Sequence, residues 1–392
     1  MIRKRFGSAV VAAAFIAFPS ASSAANPTTL TASQFTLSAT YTQFSAVNAA
    51  LVSTLGVAAV HAVMENANHN RTGLPSSFSV AGLDTGFRFD DTDNGDCTNY
   101  PQGITTSRDA IGTANSGNYD GHQLVVVSWY SKDGCDGGTT RSRITLVDWD
   151  ATYPNAYRKV LLVEPTGSAT TPDFKDIPIH AGGVSWYGDY LYVAETGKGM
   201  RVFDMRKILK TNTGGTADQI GRQNATVYYA HNYAYVLPQV GTITSNTTSG
   251  TNVVWSTISL DRVSKSLVVT EYTCASGCTS YPNRAPRAIR YPFGSNGTFA
   301  ASTTASQALQ LPYYNLNGVA SHNGRWWFAN SAGKALYYWE PGTNTQTFSW
   351  VGGAESISYW EDDTEADLLW SLTETQGSRN VFAVKQATYG GG

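Results

Sequence analysis

Four glutamates stand at the ends of strand-like runs. Glu195, Glu271 and Glu374 close YLYVAE, SLVVTE and LLWSLTE, and Glu355 opens AESISYW. Paired carboxylates carry out glycosidic hydrolysis, one protonating the leaving oxygen while the other serves as base or nucleophile. His180 adds an imidazole that titrates near neutrality and could remove a proton, as elimination from a uronic acid requires. The carboxamides of Gln102 and Asn317 can bond hydroxyls, and Trp129, Tyr130 and Tyr272 offer flat apolar faces to sugar rings. These residues lie far apart in the chain, so their chemistry depends on a fold that gathers them.

An internal repeat supplies that fold. The stretch HAGGVSWYGDYLYVAETGKGMRVFDM near residue 180 aligns without gaps with NLNGVASHNGRWWFANSAGKALYYWE near 315. Each reads as a Gly-Val entry, a strand, a tight turn, an aromatic strand, a Gly-Lys loop and a third strand. The plan recurs from Pro101, Trp255 and Ala354, giving units that start near 101, 180, 255, 316 and 354. Short Val/Tyr/Trp/Ile runs between Gly, Asn and Asp turns are the hairpin signal. A unit of roughly 40–60 residues with three or four such strands describes a β-propeller blade. The expected fold is therefore all-β, a β-propeller of five blades with six as the alternative; a β-sandwich would leave the repeat unexplained. The fifth unit shows three strands, so closing the ring calls for one from the N-terminal side, in Phe78 to Phe89.

The repeat also sets a register. In a propeller the first strand of each blade lines the central channel, and side chains alternate along it. Aligning Gly183, Gly318 and Ser356 places Gly182, Asn317 and Glu355 at the mouth, with Gln102 and Ser256 from the first and third units. His180 falls on the same face as Gly182, whose missing side chain would let the imidazole lean inward. Second-strand ends add Trp129, Tyr130, Glu195, Glu271, Tyr272, Ser331 and Glu374. The expected catalytic set is His180, Glu355, Glu195, Glu271 and Glu374; the expected substrate-binding set is Gln102, Asn317, Trp129, Tyr130 and Tyr272. Structural roles are expected for His61, His69, His122, His231 and His322.

Residues 1–25 read as a secretory leader, with Arg3, Lys4 and Arg5 before an apolar run and a small-residue site near Ala25. Residues 26–75 read as an N-terminal helical segment, flawed at Gly56, and residues 76–392 as the propeller domain. No segment reaches the roughly 20 apolar residues of a membrane span, so a secreted, extracellular monomer is expected. The chain has 392 residues, a formal charge of −2 and only 14% charged residues, which argues against a nucleic-acid partner. Its 10 Trp, 22 Tyr and 15 Phe argue against disorder. Export permits disulfides, and local spacing favours Cys97–Cys135 and Cys274–Cys278. No metal ligands are assigned; DDTDNGD at 90–96 has the composition of a calcium loop although its glycine is misplaced for an EF-hand, and a calcium ion there or in the channel is the one cofactor the sequence leaves open.

The motifs PQGITTS, VSWY, HAGGVSWYGDYLYVAETGKGMRVFD, YVLPQVG and LLWSLTE, spread over most of 100–388, resemble those of a group of exported, actinomycete-type bacterial β-propeller proteins. The resemblance implies a propeller and export, and supplies no reaction. At the level of architecture, five-bladed rings are similar to those of several glycoside hydrolase families. Two functions follow from the mouth residues. One is a carbohydrate-active enzyme, a glycoside hydrolase or polysaccharide lyase, acting on a polysaccharide or oligosaccharide. The other is a non-catalytic module binding a glycan or protein. Because Gln, Gly, Ser, Asn and Glu occupy equivalent mouth positions, one asymmetric site is favoured over repeated equal ones.

Overall fold

A computed structural model describes residues 22–149, 156–248 and 250–391. Most of the expected leader, residues 1–21, lies outside the described residues. Ser22–Ala24, which the leader reading also covers, pairs with Thr345, Gln346 and Thr347 at an outer edge.

The chain is a β-propeller. Four-stranded antiparallel units begin with the inner strands Asn99–Thr106, Val184–Tyr187, Trp255–Asp261, Leu316–His322 and Ala354–Trp360. Each inner strand packs against the next, and the last returns to the first. Leu83–Arg88 supplies the outer strand of the fifth unit, pairing antiparallel with Asn380–Lys385, so the N-terminal side closes the ring. Such closure hides the edges that an open array would expose.

Alternation explains why the units stack. Each strand sends residues in turn to its two neighbours, so both faces of every sheet are apolar. One layer unites Val126, Leu146 and Leu162 with Val184 and Trp186, and the next unites Tyr192 and Val202 with Trp255 and Ile258. The seam between first and last units packs Phe87 and Trp370 with Ile104 and Trp129. Trp186 and Trp326 are fully buried, and truncating either to alanine should cost about 3–5 kcal/mol. Turn chemistry fixes the strand pairing. Asn323 and Gly324 both have positive φ between paired His322 and Arg325, the type I′ geometry that favours Asn-Gly.

Residues 26–75, read as a helix or two interrupted at Gly56, hold strands as well. Ser45–Leu55 and Val60–Glu65 are helices, and Gly56 caps the first of them. Thr28–Thr29 and Phe35–Thr40 instead extend the third and second units. The alternation of buried Phe35 and Leu37 in FTLSAT suits a sheet edge. Both disulfides form as spacing suggested, Cys97–Cys135 and Cys274–Cys278. No helix among the described residues is long and apolar enough to cross a membrane.

Candidate functional site

The mouth residues owe their inward aim to irregular backbone. The pairing register of inner strand with second strand shifts at Pro101/Ile104, Trp255/Thr257, Leu316/Gly318 and Glu355/Ser358. Bulges of this kind redirect side chains, and these release Gln102, Ser256, Asn317 and Glu355. The remaining unit uses another device. Ala181 has φ of 52°, and Ser356 beside Glu355 has φ of 53°. Both non-glycine residues hold a costly left-handed conformation next to His180 and Glu355, as happens at functional sites.

Together these elements enclose a cavity of about 200 Å³ lined by Gln102, Tyr130, His180, Tyr272, Asn317, Glu355 and Glu374, with Tyr281 and Trp255. Below the mouth the inner strands meet backbone to backbone. A side chain at Gly103 would lie 2.6 Å from the Val184 nitrogen, and one at Gly183 would collide with the Ile258 nitrogen. The pocket is therefore shallow. Gly182 is required for a similar reason, since a Cβ would meet the Ser256 carbonyl; the expected space for His180 is partly taken by the adjacent strand.

Two carboxylates face the cavity, each gripped by a carboxamide. The Gln102 Nε2 donates to Glu374 Oε2 at 2.6 Å, and the Asn317 Nδ2 donates to Glu355 Oε1. Glu355 is 5% exposed. Burial, with the Glu374 charge adding to it, holds its carboxyl well above the usual range, against the opposing pull of the Asn317 bond. Glu374 is half-buried and is also raised by burial, while the Gln102 bond and the Arg379 and Lys132 charges pull it down. Both carboxyls are thus held above the ordinary range by burial, and Glu355 is the more enclosed of the two.

His180 stacks on Tyr130 at 4.5 Å. Its side chain is open to cavity solvent yet crowded by protein. Desolvation, with Lys132 adding to it, pushes the imidazole below its usual range, and the solvent reaching the ring limits how far. Tyr130 in turn stacks on Tyr100 at 5.2 Å, and Lys132 caps Tyr100 at 4.6 Å. Tyr272 and Tyr281 meet edge-inclined at 4.8 Å on the other wall.

Three expected site residues lie elsewhere, each for a physical reason. Trp129 is fully buried between units, beneath the Arg143 guanidinium at 4.9 Å, because its ring takes the core-facing side of its strand. Glu271 is also fully buried; Arg284 and Arg287 reach its oxygens at 2.6 and 2.7 Å. Glu195 is held by Lys198 at 2.7 Å and Arg201 at 2.9 Å. Strand-end position alone does not show which acid has a partner. Tyr281 went unnoticed in the sequence because it sits in the TCASGCTSYP loop rather than on a strand.

The acidic run at 90–96 is turned toward protein groups. Asp93 accepts from Lys159 at 2.6 Å, Tyr157 at 2.5 Å and Arg143 at 3.2 Å, while Asp90 caps the short helix Asp91–Gly95 and bonds His69 at 2.7 Å. Although His69, Asp90 and Asp93 cluster closely enough for a cation, the lysine and arginine already neutralise Asp93. His322 stacks on Tyr359 at 4.1 Å, remote from the mouth. A larger cleft of about 570 Å³ lies by Trp360 and Trp370, where buried Arg108 pairs with half-buried Asp362 at 3.1 Å. None of the expected site residues reaches it.

No protein-family model and no curated protein matches the sequence, so the resemblance to exported actinomycete-type proteins rests on its motifs alone. Among solved structures, the β-propeller domain of Myceliophteria thermophila Cps50 (Swd1) aligns at TM-score 0.34 and 11% identity, over 73% of this chain and 96% of that one. A GH43_1 enzyme from Xanthomonas citri aligns at TM-score 0.33 and 9% identity, over 86% and 92%. An inactive virginiamycin B lyase from Staphylococcus aureus, with quinupristin, aligns at TM-score 0.28 and 10% identity, over 76% and 98%. At such scores the overlaps carry no assignment. The propeller fold rests on this chain's own strand order.

Proposed function

We propose that the protein is an exported carbohydrate-active enzyme that hydrolyses a glycosidic bond in the cavity at the propeller mouth. The observation that carries this reading is the pair Glu355 and Glu374, two carboxyls that share one cavity and are each held by a carboxamide. Glu355, the more deeply buried of the two and raised by that burial, donates a proton to the glycosidic oxygen as the bond from that oxygen to the anomeric carbon breaks. Glu374, whose carboxyl Gln102, Arg379 and Lys132 pull toward the charged form, takes the proton of an attacking water or attacks the anomeric carbon itself. Gln102 and Asn317 orient the two carboxyls, and the faces of Tyr130, Tyr272 and Tyr281 suit sugar rings.

Elimination from a uronate fits less well. That reaction needs a cation against the substrate carboxylate, and among the described residues the cavity lining contains two acids and no Lys or Arg. A purely binding role would leave the pair without a task. The two disulfides suit an oxidising extracellular setting. The test is turnover of neutral and uronate-containing oligosaccharides by the wild type, Glu355→Gln and Glu374→Gln. Release of reducing ends from neutral chains, lost in both variants, supports hydrolysis. Unsaturated products from uronates, or cleavage that survives both substitutions, would refute it.

A further inference from the structure

We propose that Tyr281 is a stacking platform for the second ring of a neutral saccharide whose terminal ring fills the cavity, so that the enzyme shortens chains from an end, one residue at a time. This inference rests on the hydrolytic reading above and adds where along a chain the cut falls.

The first support is size. The cavity offers about 200 Å³, less than the roughly 300–1,000 Å³ of pockets that enclose drug-sized ligands. Gly103 and Gly183, where inner strands touch, stop it from below. A single ring fits, and the rest of the chain must leave through the mouth.

The second support is the loop that carries Tyr281. Connections between second and third strands are short in the other units, spanning 196–198 in the second and 331–334 in the fourth, but the third unit uses 272–286. Long loops in compact domains are commonly functional. This one is braced. Cys274 bonds Cys278, the Cys278 nitrogen and oxygen each bond the Asn283 carboxamide at 3.0 Å, and the Cys274 nitrogen bonds the Pro282 carbonyl at 3.0 Å. At its base Arg284 and Arg287 clamp the buried Glu271. So much tethering would be wasted on an idle surface loop.

The third support is what the brace displays. Tyr281 is 37% exposed, one of few large apolar side chains left open among the described residues. It lines the cavity, inclined against half-buried Tyr272. It shares that cavity with Glu355 and Glu374. A rigid aromatic face at that position suits the ring that follows the cleaved bond.

The experiment follows products over time from xylotriose, cellotriose and their longer homologues, using the full chain. Single sugars from the earliest samples are expected; early mixtures of mid-chain fragments would overturn chain-end action while leaving hydrolysis standing. Tyr281→Ala should raise KM for the trisaccharide about threefold to tenfold, the scale of an aromatic pair, with a smaller change in kcat, and Tyr281→Phe should restore it. The double variant Cys274→Ser/Cys278→Ser should show the same KM defect. If no substrate is cleaved, hydrolysis fails and calorimetry decides the platform. Tighter binding of the trisaccharide than of the monosaccharide, abolished in Tyr281→Ala, would uphold it; equal affinities, or an unchanged ratio in the variant, would overturn it.

Discussion

Gln102 on the first inner strand donates to Glu374 of the fifth unit at 2.6 Å, across the seam where the ring closes. One hydrogen bond thus ties the closure of the fold to the protonation state of an acid in the cavity. Its other contact, to the Pro101 carbonyl at 3.0 Å, sits at the bulge that turns the side chain inward.

Replacing Gln102 by Leu removes a bond that favours ionised Glu374. The Glu374 carboxyl should rise further, and the acid limb of the rate profile should move to higher pH. Activity at pH 5 should fall roughly tenfold, the scale of a hydrogen bond to a charged group, and by less at pH 8. A pH profile of kcat/KM checks this, and an unmoved acid limb would remove Glu374 from the role of base or nucleophile.

Glu271 and Glu374 occupy equivalent strand-end positions, yet their variants should behave oppositely. Glu271→Gln leaves Arg284 and Arg287 without their buried partner and should cost about 3–5 kcal/mol of stability. Chemical denaturation measures that loss. Glu374→Gln should melt close to the wild type while losing turnover. Equal stability of Glu271→Gln and wild type would show that the pair does not brace the loop.

Asp109 sits fully buried toward the opposite face, its Oδ2 accepting from Thr105 at 2.7 Å and Ser358 at 2.6 Å. Burial pushes its carboxyl up to about 6. The folded value lies above the unfolded one, so its contribution is complete below about pH 4 and is lost as pH rises through about 6. The loss is bounded at roughly 3 kcal/mol. Asp109→Asn should therefore melt higher than wild type at pH 7.5, and the gap should close by pH 4. Thermal unfolding across that range tests it.

Much of the architecture was legible because repetition made it so. The alignment of the segments near 180 and 315 carries strand order, turn position and inward register in one comparison, and Gln102, Asn317 and Glu355 line the cavity from it. Leu83–Arg88 could be sought because the fifth unit was one strand short. The illegible parts depend on partners. Nothing local to SLVVTE shows that Arg284 and Arg287 fold back onto Glu271, and nothing in VSWY tells the buried Trp129 from the cavity-lining Tyr130 beyond alternation. Tyr281 escaped notice because loops carry no period.

The central claim is that Glu355 is kept as a proton donor for bond cleavage. Its most direct measurement pairs turnover with stability for Glu355→Gln on neutral oligosaccharides. General acid catalysis contributes about 10²–10⁴-fold, so kcat should fall on that scale. Relieving a buried acid whose proton affinity is raised should let the variant melt no lower than wild type at pH 8, with its advantage shrinking toward pH 4. Turnover within a few-fold of wild type in a folded Glu355→Gln protein would contradict the account.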